Sequence, residues 1–227
     1  MKQISCLAHA AAFCALISIA SQLKAQTNLT VAADGSAQFN SVQEAIMSVP
    51  SGSRTNPVII HIRPGTYKEL IYVQREKSFF KLAGENATNT ILSFNLQAGL
   101  TNFDGKPIGT FRTPSTTIDA DDFTAENLTF ENSAGNAGQA LAIRVDGDRA
   151  VFRNCRFLGW QDTILLNRGR DYFENCHIAG AVDFIFGAAT AWFEKCEINC
   201  LGSGCITAAS MALKRGFCEF AGGTRAR

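Results

Sequence analysis

Two carboxylates and two carboxamides sit in three phrases at nearly equal spacing: Gln139-Ala-Leu-Ala-Ile-Arg144, Gly159-Trp-Gln-Asp-Thr163 and Gly180-Ala-Val-Asp-Phe-Ile-Phe-Gly187. Gln139 and Gln161 lie 22 residues apart, Gln161 and Asp183 another 22, and Asp162 and Asp183 lie 21 apart. If one winding of the chain takes that many residues, these side chains stack on one wall and converge on one spot. A carboxylate there can attack as a covalent nucleophile, dividing one hard step into two. Two carboxylates one winding apart cannot both ionise freely, so one retains a proton for a departing alkoxide. Amide N–H donors aimed at one oxygen hold an oxyanion, at roughly 2.7–4 kcal/mol each. This is equipment for chemistry on a carbonyl, and no step of it needs a metal. A single Asp-Gln pair at a turn more often just bonds local backbone. It is the matched spacing of four groups that favours chemistry.

The winding is legible without the polar groups. Phe152-Arg-Asn-Cys-Arg-Phe157, Phe173-Glu-Asn-Cys-His-Ile178 and Phe193-Glu-Lys-Cys-Glu-Ile198 repeat one pattern, with Cys155, Cys176 and Cys196 separated by 21 and 20 residues. Ala125-Glu-Asn-Leu-Thr-Phe130 is a looser copy. A fixed period near twenty residues marks a repeat architecture. The segments are short, rich in Phe, Ile and Val, and punctuated by Gly, Asn and Asp, which predicts strands and turns. The regular Leu ladder of a leucine-rich repeat is absent. The expected fold is all-β, a parallel β-helix whose neighbouring strands lie about 4.8 Å apart. The three cysteines read as an inward stack of small apolar side chains. Asn127, Asn154 and Asn175 read as turn residues bonding local backbone. Ser41-Val-Gln-Glu44 is a capping box opening a short helix with Val42, Ala45, Ile46 and Val49 on one face, ended by Pro50. Such a helix covers the open end of the solenoid. Strands are expected at Val31, at 58–63, at 79–82 and at 90–94. His61 and His177 read as structural groups.

Residues 1–25 have the form of a signal peptide: Lys2, an apolar run from Leu7 to Ala20, and a small-residue site at Leu23-Lys-Ala25. The run is too short to span a bilayer, and no other stretch is long enough. Residues 26–209 make one domain, followed by an irregular tail over 210–227. The charge is nearly balanced, 21 basic against 20 acidic residues with two of the lysines in the leader. No basic strip supports nucleic-acid binding. No His cluster or Cys-x-x-Cys points to zinc. Cys200, Cys205 and Cys218 are expected to be free thiols.

Several phrases together resemble the pectin methylesterases, carbohydrate esterases acting on homogalacturonan. These are Val31-Ala-Ala-Asp-Gly-Ser36, Val42-Gln-Glu-Ala-Ile46, Pro64-Gly-Thr-Tyr-Lys-Glu69, the three phrases above and Gly204-Cys-Ile-Thr-Ala208. The resemblance runs from about Leu29 to Ala208. It implies a right-handed parallel β-helix, and with the leader the expectation is a secreted monomer, extracellular or periplasmic. It implies a reaction turning methyl-esterified pectin and water into pectate and methanol, without cofactor or metal. By the same resemblance Asp183 is the nucleophile, Asp162 the general acid and then base, and Gln161 and Gln139 the oxyanion donors. Trp160, Phe184 and Phe186 are candidates to stack on the sugar chain, with core packing an equal alternative for Trp160 and Phe186. Arg144 is expected to pair with a structural acid. The family continues to a Leu-Gly-Arg-Pro-Trp phrase that this chain does not contain, and the tail reads as a truncated or frame-shifted product. An inactive pectin-binding β-helix, and a pectate lyase on the same scaffold, stand as alternative readings.

Overall fold

The computed structural model describes residues 27–210, 218–221 and 224–226. The expected signal peptide lies outside the described residues. The described chain is a β-solenoid of about seven turns, built almost wholly from parallel strands. Three sheets run along its axis as walls. The first has eight strands, from Asn28–Val31 to Cys218–Ala221. The second has six, from Ile71–Val73 to Thr207–Ala209. The third has seven, from Gly65–Lys68 to Arg225–Ala226. Each winding passes from the first wall to the third, then the second, then back to the first.

The repeat phrases build the corner between the first and third walls. Asn127, Asn154, Asn175 and Lys195 hold φ of 55°, 52°, 53° and 55° in four successive windings. Asn tolerates this left-handed backbone better than most residues, which explains its recurrence there. One residue further on, the Cys155, Cys176 and Cys196 side chains are buried, as the periodicity predicts. Phe residues at the same period stack along the axis. Ring centroids are 4.8 Å apart for Phe152–Phe173 and 4.6 Å for Phe173–Phe193, with stacked planes. Ion pairs on the outer face of the first wall, Lys81–Glu126 at 2.7 Å and Arg153–Glu174 at 3.0 Å, also link neighbouring windings.

Helix α1 spans Val42–Met47 and buries Val42, Ala45 and Ile46 against the first windings. Ser41 Oγ accepts the Glu44 N–H, as a capping box requires. Glu69 completes the helix start: its carboxylate accepts the N–H groups of Val42 at 2.8 Å and Gln43 at 3.1 Å. Where the sequence reads as irregular beyond residue 209, two pieces continue the walls. Cys218–Ala221 pairs with the 191–194 strand and Arg225–Ala226 with 197–198. Phe220 prolongs the aromatic stack, 5.1 Å from Phe193. The apolar period outlasts the polar turn signals that mark the earlier windings. Among the described residues no helix is long and apolar enough to cross a membrane.

Candidate active site

The corner between the third and second walls carries the polar phrases. Two successive corners share one construction. Gly159 is followed by Asp162 and Thr163; Gly180 is followed by Asp183 and Phe184. A Cβ at Gly159 would lie 2.7 Å from Thr163 Oγ1, and one at Gly180 would lie 2.3 Å from Phe184 Cβ. The fourth side chain after each glycine therefore folds beneath it, and only glycine leaves the room. Between them Asp162 and Asp183 adopt φ of 66° and 48°. A non-glycine residue held there stores strain of the kind that collects at functional sites. Thr163 is fully buried and donates its hydroxyl to the Ala179 carbonyl at 3.2 Å, pinning one corner on the next winding.

The register distinguishes between the two spacings. Gln139 pairs with Gln161, and Gln161 pairs with Val182, all parallel. The Asp162 N–H bonds the Val182 carbonyl at 3.1 Å. Asp183 therefore lies beneath Asp162 and not beneath Gln161. The amides form one column and the carboxylates the next. The extra residue between Gln139 and Ile143 is absorbed where the N–H groups of Ala142 and Ile143 both point at the Thr163 carbonyl, at 2.9 and 3.3 Å. This is a bulge of the type that re-aims side chains beside active sites. It restores the 21-residue register of Ile143 with Ile164.

Asp162 is 9% exposed while Asp183 is half-buried. Burial, followed by the negative charge of Asp183, raises the Asp162 pKa to about 6. Among the described residues, no ion pair engages either carboxylate, and no group of three or more metal-ligating side chains is present.

A family profile described as Pectinesterase matches residues 28–210. The chain belongs to the pectinesterase family. Pectinesterase 31 of Arabidopsis thaliana is 46% identical over 185 residues, covering 79% of this chain and 58% of that protein. The pectin methylesterase from carrot superposes with a TM-score of 0.79 at 32% identity, covering 88% of this chain and 63% of that one. A pectin methylesterase in complex with a hexasaccharide superposes with a TM-score of 0.77 at 31% identity, covering 88% of this chain and 66% of that one. This pectinesterase-family chain thus spans about 58% of the length of that Arabidopsis relative.

Trp160 is half-buried and borders a groove on the outer face of the third wall. Phe186 is half-buried in the second wall, in register with Leu165. Phe184 corrects the sequence reading. It is fully buried in the hydrophobic core under Gly180, so its ring is a packing element and meets no sugar. Its place after a left-handed Asp turns it inward, which composition alone does not reveal. Arg144 pairs with Asp146 at 2.6 and 3.1 Å and donates to the Phe111 carbonyl at 3.2 Å. The sequence reading missed Thr163 and the two glycines as positioning residues. The signal for them was present, a Gly-x-x-Asp phrase recurring 21 residues later.

Proposed function

We propose that this pectinesterase-family chain carries the machinery for hydrolysing the methyl esters of homogalacturonan. The observation that supports the reading best is the stacking of Asp162 on Asp183, with one carboxyl raised to about 6 beside the other. The Asp183 carboxylate attacks the ester carbonyl carbon. The carbonyl oxygen takes up the negative charge and accepts hydrogen bonds from the side-chain amides of Gln139 and Gln161, worth roughly 2.7–4 kcal/mol each. The C–O bond to methoxide then breaks, and protonated Asp162 supplies the proton that makes methanol. An acyl–Asp183 anhydride remains. Asp162, now a carboxylate, takes one proton from water, whose oxygen attacks the acyl carbon; the C–O bond to Asp183 breaks, Asp183 leaves as a carboxylate, and the galacturonic acid product gives its remaining proton to solvent. Such acid–base assistance contributes on the order of 10²–10⁴ in rate.

The substrate assignment draws on the family and on the relatives named as pectin methylesterases, one of them in complex with a hexasaccharide. In this scheme the protein acts as a secreted monomer on pectin, with Trp160 and Phe186 offering apolar faces to the pyranose rings. Methanol release from methyl-esterified pectin tests the reading. It is expected from the parent chain and absent from Asp183→Asn. Release that survives this substitution overturns the nucleophile.

A further inference from the structure

The bulge after Gln139 disturbs the hydrogen bonding of the chain around it, because its extra residue has no regular place in the ladder. The Ala140 N–H reaches the Gln161 carbonyl at 3.1 Å, and the Ala142 and Ile143 N–H groups share the Thr163 carbonyl. Leu141, between them, is fully buried. Its N–H goes to a side chain instead, donating to Thr113 Oγ1 at 3.0 Å. Its carbonyl accepts the Ser115 N–H at 3.0 Å and a second bond from Asn132 Nδ2 at 3.0 Å. A buried peptide group without a partner costs about as much as a lost hydrogen bond, so the bulge depends on these two side chains.

Both are buried and are themselves held. Thr113 follows the 3₁₀ turn Thr110–Arg112, and its hydroxyl donates to the Thr110 carbonyl at 2.8 Å. That commits the one proton of the hydroxyl and leaves a lone pair for Leu141. Asn132 ends the strand Thr129–Asn132. Its Nδ2 donates to the Leu96 carbonyl at 2.9 Å as well as to Leu141, with the Thr113 carbonyl at 3.3 Å, and its Oδ1 accepts the Ala134 N–H at 3.0 Å. Leu96 and Thr113 are the two ends of the long 96–113 connection. That connection also reaches Gln139 directly, where the Ala98 N–H bonds the Gln139 carbonyl at 2.9 Å. Every backbone bond named from the Gln139 carbonyl to the Ile143 N–H is therefore made to a partner in another winding or in this connection.

We infer that Thr113 and Asn132 are positioning residues for the reaction: by clamping the Leu141 peptide they fix the backbone from which the Gln139 amide is presented to the ester oxygen. The inference rests on the pectin reading above, in which Gln139 is an oxyanion donor. Such a donor acts where charge develops, so a donor out of place lowers kcat and leaves ground-state binding alone. Misplacement by about 1 Å costs on the order of 10²-fold.

The test compares variants of the full chain on methyl-esterified pectin, with thermal melting to confirm that each is folded at the assay temperature. Thr113→Val keeps the shape and removes the acceptor for Leu141. It is expected to lower kcat by roughly 10- to 100-fold with KM unchanged. Asn132→Ala is expected to act in the same way. Thr113→Ser returns the hydroxyl and is expected to restore kcat. Thr129→Val removes a buried hydroxyl that bonds the Ala87 carbonyl at a different corner, and is expected to keep the parent kcat. In a Gln139→Ala background, already slowed by about 10²–10³, Thr113→Val is expected to cost little more, because the group it aims is gone. Hydrogen exchange reads the clamp without turnover: the Leu141 amide is expected to be protected in the parent and in Thr129→Val, and to lose protection in Thr113→Val. Full kcat in folded Thr113→Val, an equal loss with and without Gln139, or an unprotected Leu141 amide in the parent overturns the clamp and leaves the pectin reading standing. A Gln139→Ala chain as active as the parent, or a parent that releases no methanol, overturns that reading and the role of the clamp with it.

Discussion

Asp162 and Asp183 occupy equivalent positions in successive windings, both with left-handed backbone at φ 66° and 48°, and the charge of Asp183 adds to burial in lifting the Asp162 carboxyl to about 6. The same stack gives the two carboxyls different surroundings. The buried member holds its proton up to about pH 6, above the ordinary carboxylate range, and the other is the more exposed.

Replacing either carboxylate removes a different part of the reaction. Asp183→Asn is expected to bring methanol release to background while oligomer binding persists. Asp162→Asn is expected to lower kcat by about 10²–10⁴, the usual worth of acid–base assistance. Steady-state kinetics and calorimetric titration separate loss of chemistry from loss of binding.

The pH profile follows from the raised pKa. A general acid must carry its proton, so kcat/KM is expected to fall as pH rises through about 6, where Asp162 ionises. The apparent value belongs to the coupled pair rather than to one residue. In Asp162→Asn the residual activity is expected to lose this alkaline limb. A profile with the same limb in parent and variant would assign the titration elsewhere.

The corner glycines are expected to resist substitution. A methyl at Gly180 meets Phe184 Cβ at 2.3 Å, and Phe184 is fully buried and cannot retreat. Gly180→Ala should cost about 1–3 kcal/mol of stability through overpacking, and displacement of Asp183 should lower kcat as well. Gly159→Ala meets the smaller Thr163 and should cost less. Denaturant unfolding paired with activity measurements checks the order.

Asp171 should make the protein less stable as pH rises. It lies between Ala150 and Ala191 in the first wall, is 4% exposed, and neither carboxyl oxygen has a hydrogen-bond partner. Burial, and then the charge of Asp148, push its pKa well above the ordinary value. The folded state therefore holds a proton that the unfolded chain releases near pH 4. Stability is lost from that pH upward until the folded group itself ionises. Asp171→Asn is expected to match the parent near pH 4 and to melt higher at pH 7, by roughly 2–4 °C for each kcal/mol relieved. A difference in melting temperature that does not grow with pH would contradict this account.

Much of the site was legible because a solenoid converts sequence period into spatial stacking. Cys155, Cys176 and Cys196 announced the winding, and the same period brought Asp162 over Asp183. The choice between 21 and 22 residues was not legible. It depends on where the extra residue after Gln139 is absorbed, and that is decided by two N–H groups sharing the Thr163 carbonyl. The side on which an aromatic ring falls was equally hidden. Phe184 and Phe186 are two residues apart, yet one is core and the other half-buried at the surface of the second wall. Phe184 lies at the corner before the strand Ile185–Gly187 begins and packs beneath Gly180, so strand alternation governs Phe186 and not Phe184.

From residues alone came the class of fold and the expectation that Gln139, Gln161, Asp162 and Asp183 gather at one corner, because the period is a local property of the chain. Three-dimensional packing decided which of the two carboxyls is the more buried and which of the two rings, Phe184 or Phe186, is core. Those properties arise from how successive windings cover one another, and desolvation is set by neighbours that lie one full winding away in the sequence.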